Sequence, residues 1–100
     1  MGWASHYIEK LKNNETVSFR PRGGSMKGKI ESGQLCTLEP AIESELKKGD
    51  IVLCKVSGNE YIHLIKAIRA GRYQIGNNKG GINGWTGFNS IYGKLIRVEA

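Results

Sequence analysis

Residues 51–68 have the sequence IVLCKVSGNEYIHLIKAI, and this stretch decides the fold class. It contains two runs rich in β-branched and apolar residues, which predict strands over residues 51–56 and 60–68. The three residues between these runs, SGN, are typical of a tight turn, so the strands are expected to pair as an antiparallel hairpin. The sequence therefore predicts a fold built on antiparallel β-sheet.

Shorter segments on both sides of this hairpin have the same character. Alternation of polar and apolar residues, or short apolar runs between turn residues, predict further strands at residues 16–20, 34–39, 73–75 and 91–98. A linker or short turn is expected at residues 40–48, and a long glycine/asparagine loop at residues 76–87. Fourteen glycines and only two prolines fit a chain with many tight turns. The predicted fold class is mostly β, a small twisted antiparallel sheet with one N-terminal α-helix.

That helix is predicted for residues 3–13, where the period of the apolar residues is helical. Trp3, Tyr7, Ile8 and Leu11 fall on one face of such a helix. We expect this face to pack on the sheet, with Trp3 and Tyr7 as core residues and not as ligand contacts. The chain is then one domain, in which residues 1–15 form an amphipathic helix packed on a β domain of residues 16–100.

Composition limits the compartment and the partners. No apolar run approaches the roughly 20 residues that span a bilayer, and the N-terminus lacks the pattern of a secretion signal, so the expectation is a cytoplasmic protein without a membrane partner. The net charge of +6 favours anionic partners, nucleic acid among them. The basic residues are scattered, however, and a solvated basic face explains most of them. The densest group is Arg20, Arg22, Lys27 and Lys29, on both sides of Ser25.

Cys36 and Cys54 each lie in an apolar segment with strand character. Their separation does not match a zinc site, and a disulfide is unusual in the cytosol. Both are therefore predicted to be buried free thiols. We expect neither a metal nor a cofactor.

The stretch of residues 23–26, GGSM, could expose the hydroxyl of Ser25 in a glycine-flanked turn. Serine needs a base within hydrogen-bond reach to act as a nucleophile, and His63 in the second strand of the central hairpin could supply it. Backbone N–H groups at Gly23, Gly24, Ser25 and Met26 could bind an oxyanion, because glycine allows a substrate carbonyl to approach closely. These residues are the candidate catalytic and oxyanion-binding groups.

Two lysines are rival candidates for the base. Lys66 lies three residues after His63 on the same strand, so strand alternation is expected to point it to the opposite face. Lys55 lies near the hairpin end and is expected to be exposed. His63 is the better candidate because its apolar neighbours favour the neutral imidazole that accepts a proton.

Several segments together resemble the LexA-repressor and signal-peptidase superfamily, and the resemblance covers about residues 17–98 in the order of that family. The segments are GSM at 24–26 with IESG at 30–33, KGDIV at 48–52, EYIHLI at 60–65, IGNN at 75–78 and YGKLI at 92–96. The resemblance implies a coiled β fold in which Ser25 is the nucleophile of a serine peptidase. It also implies that His63 is the general base, as in the archaeal and endoplasmic-reticulum signal peptidases; the LexA and bacterial branches use a lysine.

The chain departs from that family pattern at the acidic residue. Asn77 occupies the position of the acid in the family's Gly-Asp-Asn box, and a further acid of the family falls near Ile82 or Asn83. Asp50 is the only aspartate of the chain, and it precedes a strand at a turn. We expect Asn77 to orient the imidazole without stabilising its charged form. Hydrolysis of peptide bonds is then expected to be slow or self-directed.

The alternative is a catalytically inactive binding module that keeps the peptidase fold. Its partner would be a protein or a nucleic acid, bound by the basic rim and the glycine/asparagine loop. The candidate contact residues are Arg20, Arg22, Lys27, Lys79 and Trp85. The sequence contains no helix-turn-helix segment or membrane anchor, and its small size resembles that of phage- or mobile-element-encoded proteins. Whether residues 1–16 cover the cleft is left open.

Overall fold

A computed structural model describes residues 2–100. One helix precedes seven strands, and two single turns of 3₁₀-helix lie at Glu43–Glu45 and Phe88–Ser90. The elements are α1 (Ser5–Lys12), β1 (Val17–Phe19), β2 (Leu35–Pro40), β3 (Ile51–Val56), β4 (Asn59–Arg69), β5 (Arg72–Gly76), β6 (Ile82–Gly87) and β7 (Ile91–Glu99). The strands form one antiparallel sheet in the order β1-β2-β7-β3-β4-β5-β6. The predicted fold class, mostly antiparallel β with one N-terminal helix, is confirmed.

The β3–β4 hairpin has the tightest connection available to antiparallel strands. Its two turn residues, Ser57 and Gly58, have φ angles of 51° and 81°. Two successive positive φ values match the right-handed twist of the paired strands, which is why such turns dominate short hairpins. The turn fixes the register, and Val52 lies opposite His63.

Apolar side chains cover both faces of the sheet. On one face, Leu53, Ile62 and Leu64 pack in a cluster that includes Ile8 and Leu11 of α1. The second cluster lies on the other face and contains Val52, Cys54, Val56, Ile65, Tyr73, Ile75 and Ile91. His63 alternates with Ile62 and Leu64 along β4, so it lies on the face opposite to the helix.

A carboxylate from β4 anchors the start of α1. The backbone N–H of Ala4 and the hydroxyl of Ser5 donate to the two oxygens of Glu60, at 2.7 and 2.9 Å. No side chain of the helix itself caps this terminus. Glu60 therefore satisfies donors that the first turn of a helix leaves open, and its negative charge lies at the positive end of the helix.

Two local expectations are wrong. Trp3 is 51% exposed and packs edge-on against Phe19, so it is not a core residue. Half of the predicted loop at residues 76–87 is strand β6, in which Trp85 pairs with Gln74 of β5. The glycines and asparagines of this segment have low strand propensity, but pairing with β5 overrides that propensity. The prediction of buried free thiols at Cys36 and Cys54 is confirmed.

Candidate active site

The turn that presents Ser25 follows β1 and is tied to the segment that precedes β2. The N–H of Gly33 donates to the carbonyl of Pro21 at 2.8 Å, and the N–H of Gly23 donates to the hydroxyl of Ser32 at 3.1 Å. Gly23 has a φ of 108°, a conformation that residues with a side chain rarely adopt. The glycine at 23 therefore has a conformational role in shaping the turn.

Burial alternates sharply between Ser25 and its neighbour. Met26 is 4% exposed and belongs to the same apolar cluster as α1, whereas Ser25 is exposed. The carbonyl of Met26 accepts hydrogen bonds from the N–H groups of Lys29 and Ile30. Met26 thus anchors the turn in the core, and the adjacent hydroxyl faces outward.

The loop between β5 and β6 holds the other side of this turn. The backbone N–H of Asn78 donates to the carbonyl of Ser25 at 2.9 Å, and the Nδ2 of Asn78 donates to the carbonyl of Lys27 at 2.8 Å. Asn78 is a positioning residue that the sequence interpretation missed. A pair of asparagines in a glycine-rich segment suggests only a turn, so no local signal could have revealed this contact.

The hydroxyl of Ser25 lies next to the imidazole of His63, and a third side chain completes the series. Ser25 Oγ is 3.1 Å from His63 Nε2, and His63 Nδ1 is 2.7 Å from Asn83 Oδ1. Because an amide oxygen only accepts, Nδ1 carries the proton and donates to Asn83. Nε2 is then unprotonated and accepts the hydroxyl of Ser25, which is the tautomer that a general base requires.

The residue that orients His63 is Asn83, and not Asn77 as the family pattern suggested. Asn77 Oδ1 instead accepts the backbone N–H groups of Lys79 and Gly81, at 2.9 and 2.8 Å. Asn77 shapes the β5–β6 loop, whereas Asn83 is the second residue of β6. One signal pointed to this position, namely the family acid expected near residues 82 and 83.

Burial controls the protonation of His63. The side chain is only 7% exposed, and this desolvation lowers the pKa of the imidazole. The hydrogen bond to Asn83 raises the pKa in part, and the positive charge of Lys66 lowers it further. The register of β4 against β5 shifts between Ile65 and Ala67, so Lys66 does not follow regular alternation. His63 is therefore neutral at pH 7, as a base must be.

An aromatic ring supports the imidazole from one side. Tyr61 stacks on His63 with ring centroids 4.9 Å apart and planes inclined by 23°. The two residues are separated by two positions on β4 and so lie on the same face of the strand. The stack and the bond to Asn83 hold the ring in place from two directions.

Ser25 and His63 lie in the wall of a groove of about 540 Å³. The other lining residues come from the start of the chain and α1, from the end of β1 and the segment after it, and from β4: Trp3, Tyr7, Phe19, Arg20, Pro21, Arg22, Glu60, Tyr61 and Ile62. A second cavity of about 30 Å³ also reaches Ser25, and it is lined by Gly23 and Met26 among others. Trp3 and Tyr7, near the start of the described residues, thus form one wall of the groove.

The backbone beside Ser25 has donors available for an anion. Within residues 2–100, the N–H groups of Gly24, Ser25 and Met26 donate to no protein acceptor. They lie in the glycine-rich turn where an oxyanion site was expected, but the N–H of Gly23, also expected to contribute, donates to Ser32 Oγ instead. Such free donors next to a nucleophile are what acyl transfer needs to stabilise its tetrahedral intermediate.

The other candidate residues lie at different distances from this site. Lys79 Nζ is 3.6 Å from where a methyl group on Gly24 would lie, so it borders the turn. Lys27, two residues after Ser25, is exposed, whereas Trp85 lies on β6 and is 39% exposed. Asp50 accepts the N–H of Lys47 and pairs with Lys94 at 3.6 Å, so it takes no part in the site.

No protein-family model, curated protein or solved structure matches this chain. Among residues 2–100, no group of three metal-ligating side chains comes together, and no helix is long and apolar enough to cross a bilayer.

The lowered pKa of His63 sets an expected pH dependence. Only neutral His63 can accept the proton of Ser25, so reactivity should rise with pH and its midpoint should lie below the ordinary histidine value of about 6.5. Between that lowered pKa and 6.5 the unfolded chain binds more protons, so the free energy of unfolding should also rise with pH there and fall on acidification. NMR titration of His63 in a His6→Gln variant measures the midpoint, and a value above 6.5 would contradict it.

Proposed function

We propose that this protein is a serine hydrolase that cleaves peptide bonds by acyl transfer to water. The observation that carries the proposal is the series Ser25–His63–Asn83, with hydrogen bonds of 3.1 and 2.7 Å. It supplies a nucleophile, a base in the correct tautomer and a group that orients the base. The resemblance of residues 17–98 to the LexA and signal-peptidase superfamily supports the same reaction, and we propose membership of that superfamily.

The reaction would proceed through a covalent intermediate. Ser25 Oγ attacks the scissile carbonyl while His63 Nε2 takes its proton, and the N–H groups at Gly24, Ser25 and Met26 stabilise the oxyanion. The imidazolium then protonates the leaving amine, which departs and leaves an acyl group on Ser25. Water attacks this ester with His63 again as the base, which releases the acid and regenerates the hydroxyl.

A peptide substrate is favoured by the free edge of β4 beside the groove. In this hairpin Val56 and Asn59 close the turn, and backbone groups alternate direction along an antiparallel strand. The N–H and C=O groups of Glu60 and Ile62 therefore point away from β3, and the carbonyl of Glu60 already accepts a hydrogen bond from Trp3 Nε1 at 3.3 Å. Strand β5 pairs with β4 only from Leu64 onward. Ile62 can thus pair with an extended peptide, which would lie in the groove as an added strand.

Turnover by this site should be slow. Asn83 orients His63 but carries no charge to stabilise the imidazolium that forms during the reaction. In a well-studied serine protease, replacing the aspartate of the triad by asparagine lowers turnover by about 10⁴. The proposed activity is therefore suited to rare or self-directed cleavage.

A non-catalytic binding module is the second candidate, and the neutral third residue is the observation that favours it. In that case the groove would hold a peptide without cutting it. The backbone edge of β4 and the groove walls would bind the peptide both in a hydrolase and in a binding module. Reactivity of Ser25 distinguishes the two.

The test is covalent labelling with a fluorophosphonate probe at pH 8, followed by intact mass and peptide mapping. We expect one adduct on Ser25 in the wild type and none in Ser25→Ala. The matched control is Ser44→Ala, which removes an exposed serine outside the groove and should label as the wild type does. Absence of an adduct on a folded wild-type protein would reject the hydrolase and leave the binding module.

A further inference from the structure

The groove beside Ser25 contains positive charge that no protein group neutralises. Arg20 and Arg22 line it, and both are exposed. Within the described residues the only ion pairs are Lys94 with Asp50 and Arg97 with Glu99. Both guanidinium groups are therefore free of carboxylate partners.

The only carboxylate in the groove wall is already engaged. Both oxygens of Glu60 accept hydrogen bonds from the start of the helix, from Ala4 N–H and Ser5 Oγ. Its charge is offset by the N-terminal end of α1. The two arginines are the charged groove residues whose side chains neither pair with a described carboxylate nor cap a helix.

The two arginines differ in how firmly they are held. Arg20 Nη1 donates to the carbonyl of Gly33 at 2.9 Å, which fixes its guanidinium at the groove edge. Arg22 makes no side-chain hydrogen bond within residues 2–100, and it lines both the groove and the small second cavity. Ser25 also lines both cavities, and the small cavity has one carboxylate, Glu31, whose Oε2 accepts the backbone N–H of Gly28 at 2.9 Å.

We propose that the groove selects peptides with an acidic side chain close to the scissile bond, recognised by Arg22 and supported by Arg20. This inference rests on the proposed function and specifies the substrate class. A guanidinium binds a carboxylate through two parallel hydrogen bonds, and such a pair is stronger beside apolar walls than in open water. Trp3, Tyr7 and Phe19 supply those walls. Lys27 and Lys79 lie outside the groove lining, but both are exposed and Lys79 Nζ borders the turn at Gly24, so they add positive charge near it.

The test compares three nonapeptides in which alanine alternates with glutamate, glutamine or lysine. Binding of each fluorescein-labelled peptide to Ser25→Ala is measured by anisotropy at 50 and 500 mM NaCl, which separates recognition from cleavage. We expect the glutamate peptide to bind at least about tenfold more tightly than the glutamine peptide at low salt, with the difference reduced at high salt. The glutamate peptide should also slow fluorophosphonate labelling of the wild type.

Matched variants locate the effect. Arg22→Gln should remove most of the glutamate preference, and Arg20→Gln part of it. Arg72→Gln removes the same charge at the distal end of β5 and should leave the preference intact. Equal binding of the three peptides, or equal losses in all three variants, would overturn the inference.

Tighter binding of an oligothymidine that also blocks labelling would overturn it in favour of a nucleic-acid surface. A wild type that labels but shows no preference would leave the hydrolase standing.

Discussion

Replacing His63 with glutamine is expected to slow fluorophosphonate labelling of Ser25 by a factor of about 10³ or more. Ser25 Oγ has His63 Nε2 as its hydrogen-bond partner, at 3.1 Å. Glutamine approximates the length of histidine and can still hydrogen-bond, but it cannot accept a proton near neutral pH. The serine would then attack as a neutral hydroxyl, which is a poor nucleophile.

The measurement is the pseudo-first-order rate of adduct formation by intact mass. His6→Gln is the matched control, because it makes the same replacement at the other histidine of the chain, which is outside the groove lining. That variant should label at the wild-type rate. A folded His63→Gln protein that labels within about threefold of the wild type would show that His63 does not activate Ser25.

The second large expected effect is an increase in the rate of fluorophosphonate labelling. Asn83→Asp should accelerate labelling by about 10²-fold, and by up to about 10⁴-fold, since it would convert the series into a Ser-His-Asp triad. A carboxylate 2.7 Å from Nδ1 would stabilise the imidazolium and raise the pKa of His63. The midpoint of the pH–rate profile should therefore move to higher pH in this variant.

Asn77→Asp is the control for that gain. Asn77 belongs to the same β5–β6 segment, but its Oδ1 accepts the N–H groups of Lys79 and Gly81. A carboxylate can accept the same two bonds, so the fold should be preserved and the rate should stay within about threefold. Equal acceleration by both substitutions would indicate a general effect of charge, and no acceleration by Asn83→Asp would reject the role of Asn83.

The central hairpin was predictable because its signals are local. Residues 51–56 and 60–68 carry enough β-branched and apolar side chains to be strands in almost any context, and the turn between them requires positive φ. Its register then places His63 opposite Val52 on one face of the sheet. The structure brings Ser25 to this histidine, a juxtaposition for which the sequence offered only the order of the family segments.

The identity of the third site residue, Asn83, could not be predicted, because it follows from strand pairing and not from local sequence. Asn77 and Asn83 have the same chemistry and similar neighbours, and only the pairing of β6 with β5 decides which of them reaches His63. That pairing shifts register between Ile75 and Gly76, so counting along the chain could not locate the contact. A segment rich in glycine and asparagine also gives no strand signal of its own.

The position of Trp3 could not be predicted for a different reason. Helical periodicity identifies which side chains share a face, but not how far the core extends beneath that face. Ile8 and Leu11 are buried in that cluster, whereas Trp3 packs edge-on against its outer member Phe19 and stays 51% exposed at the groove wall.

The anchoring of Ala4 and Ser5 to Glu60 has a consequence for any polypeptide joined ahead of Gly2. Such an extension would begin beside the groove, because Trp3 and Ser25 both line it, and a short tether raises local concentration to the millimolar range. A fused leader or affinity tag would then compete with added peptide for the groove. It would also be the substrate that Ser25 reaches most readily. Assays of intermolecular cleavage therefore need a free N-terminus, and a deliberately fused leader would report cleavage within one chain.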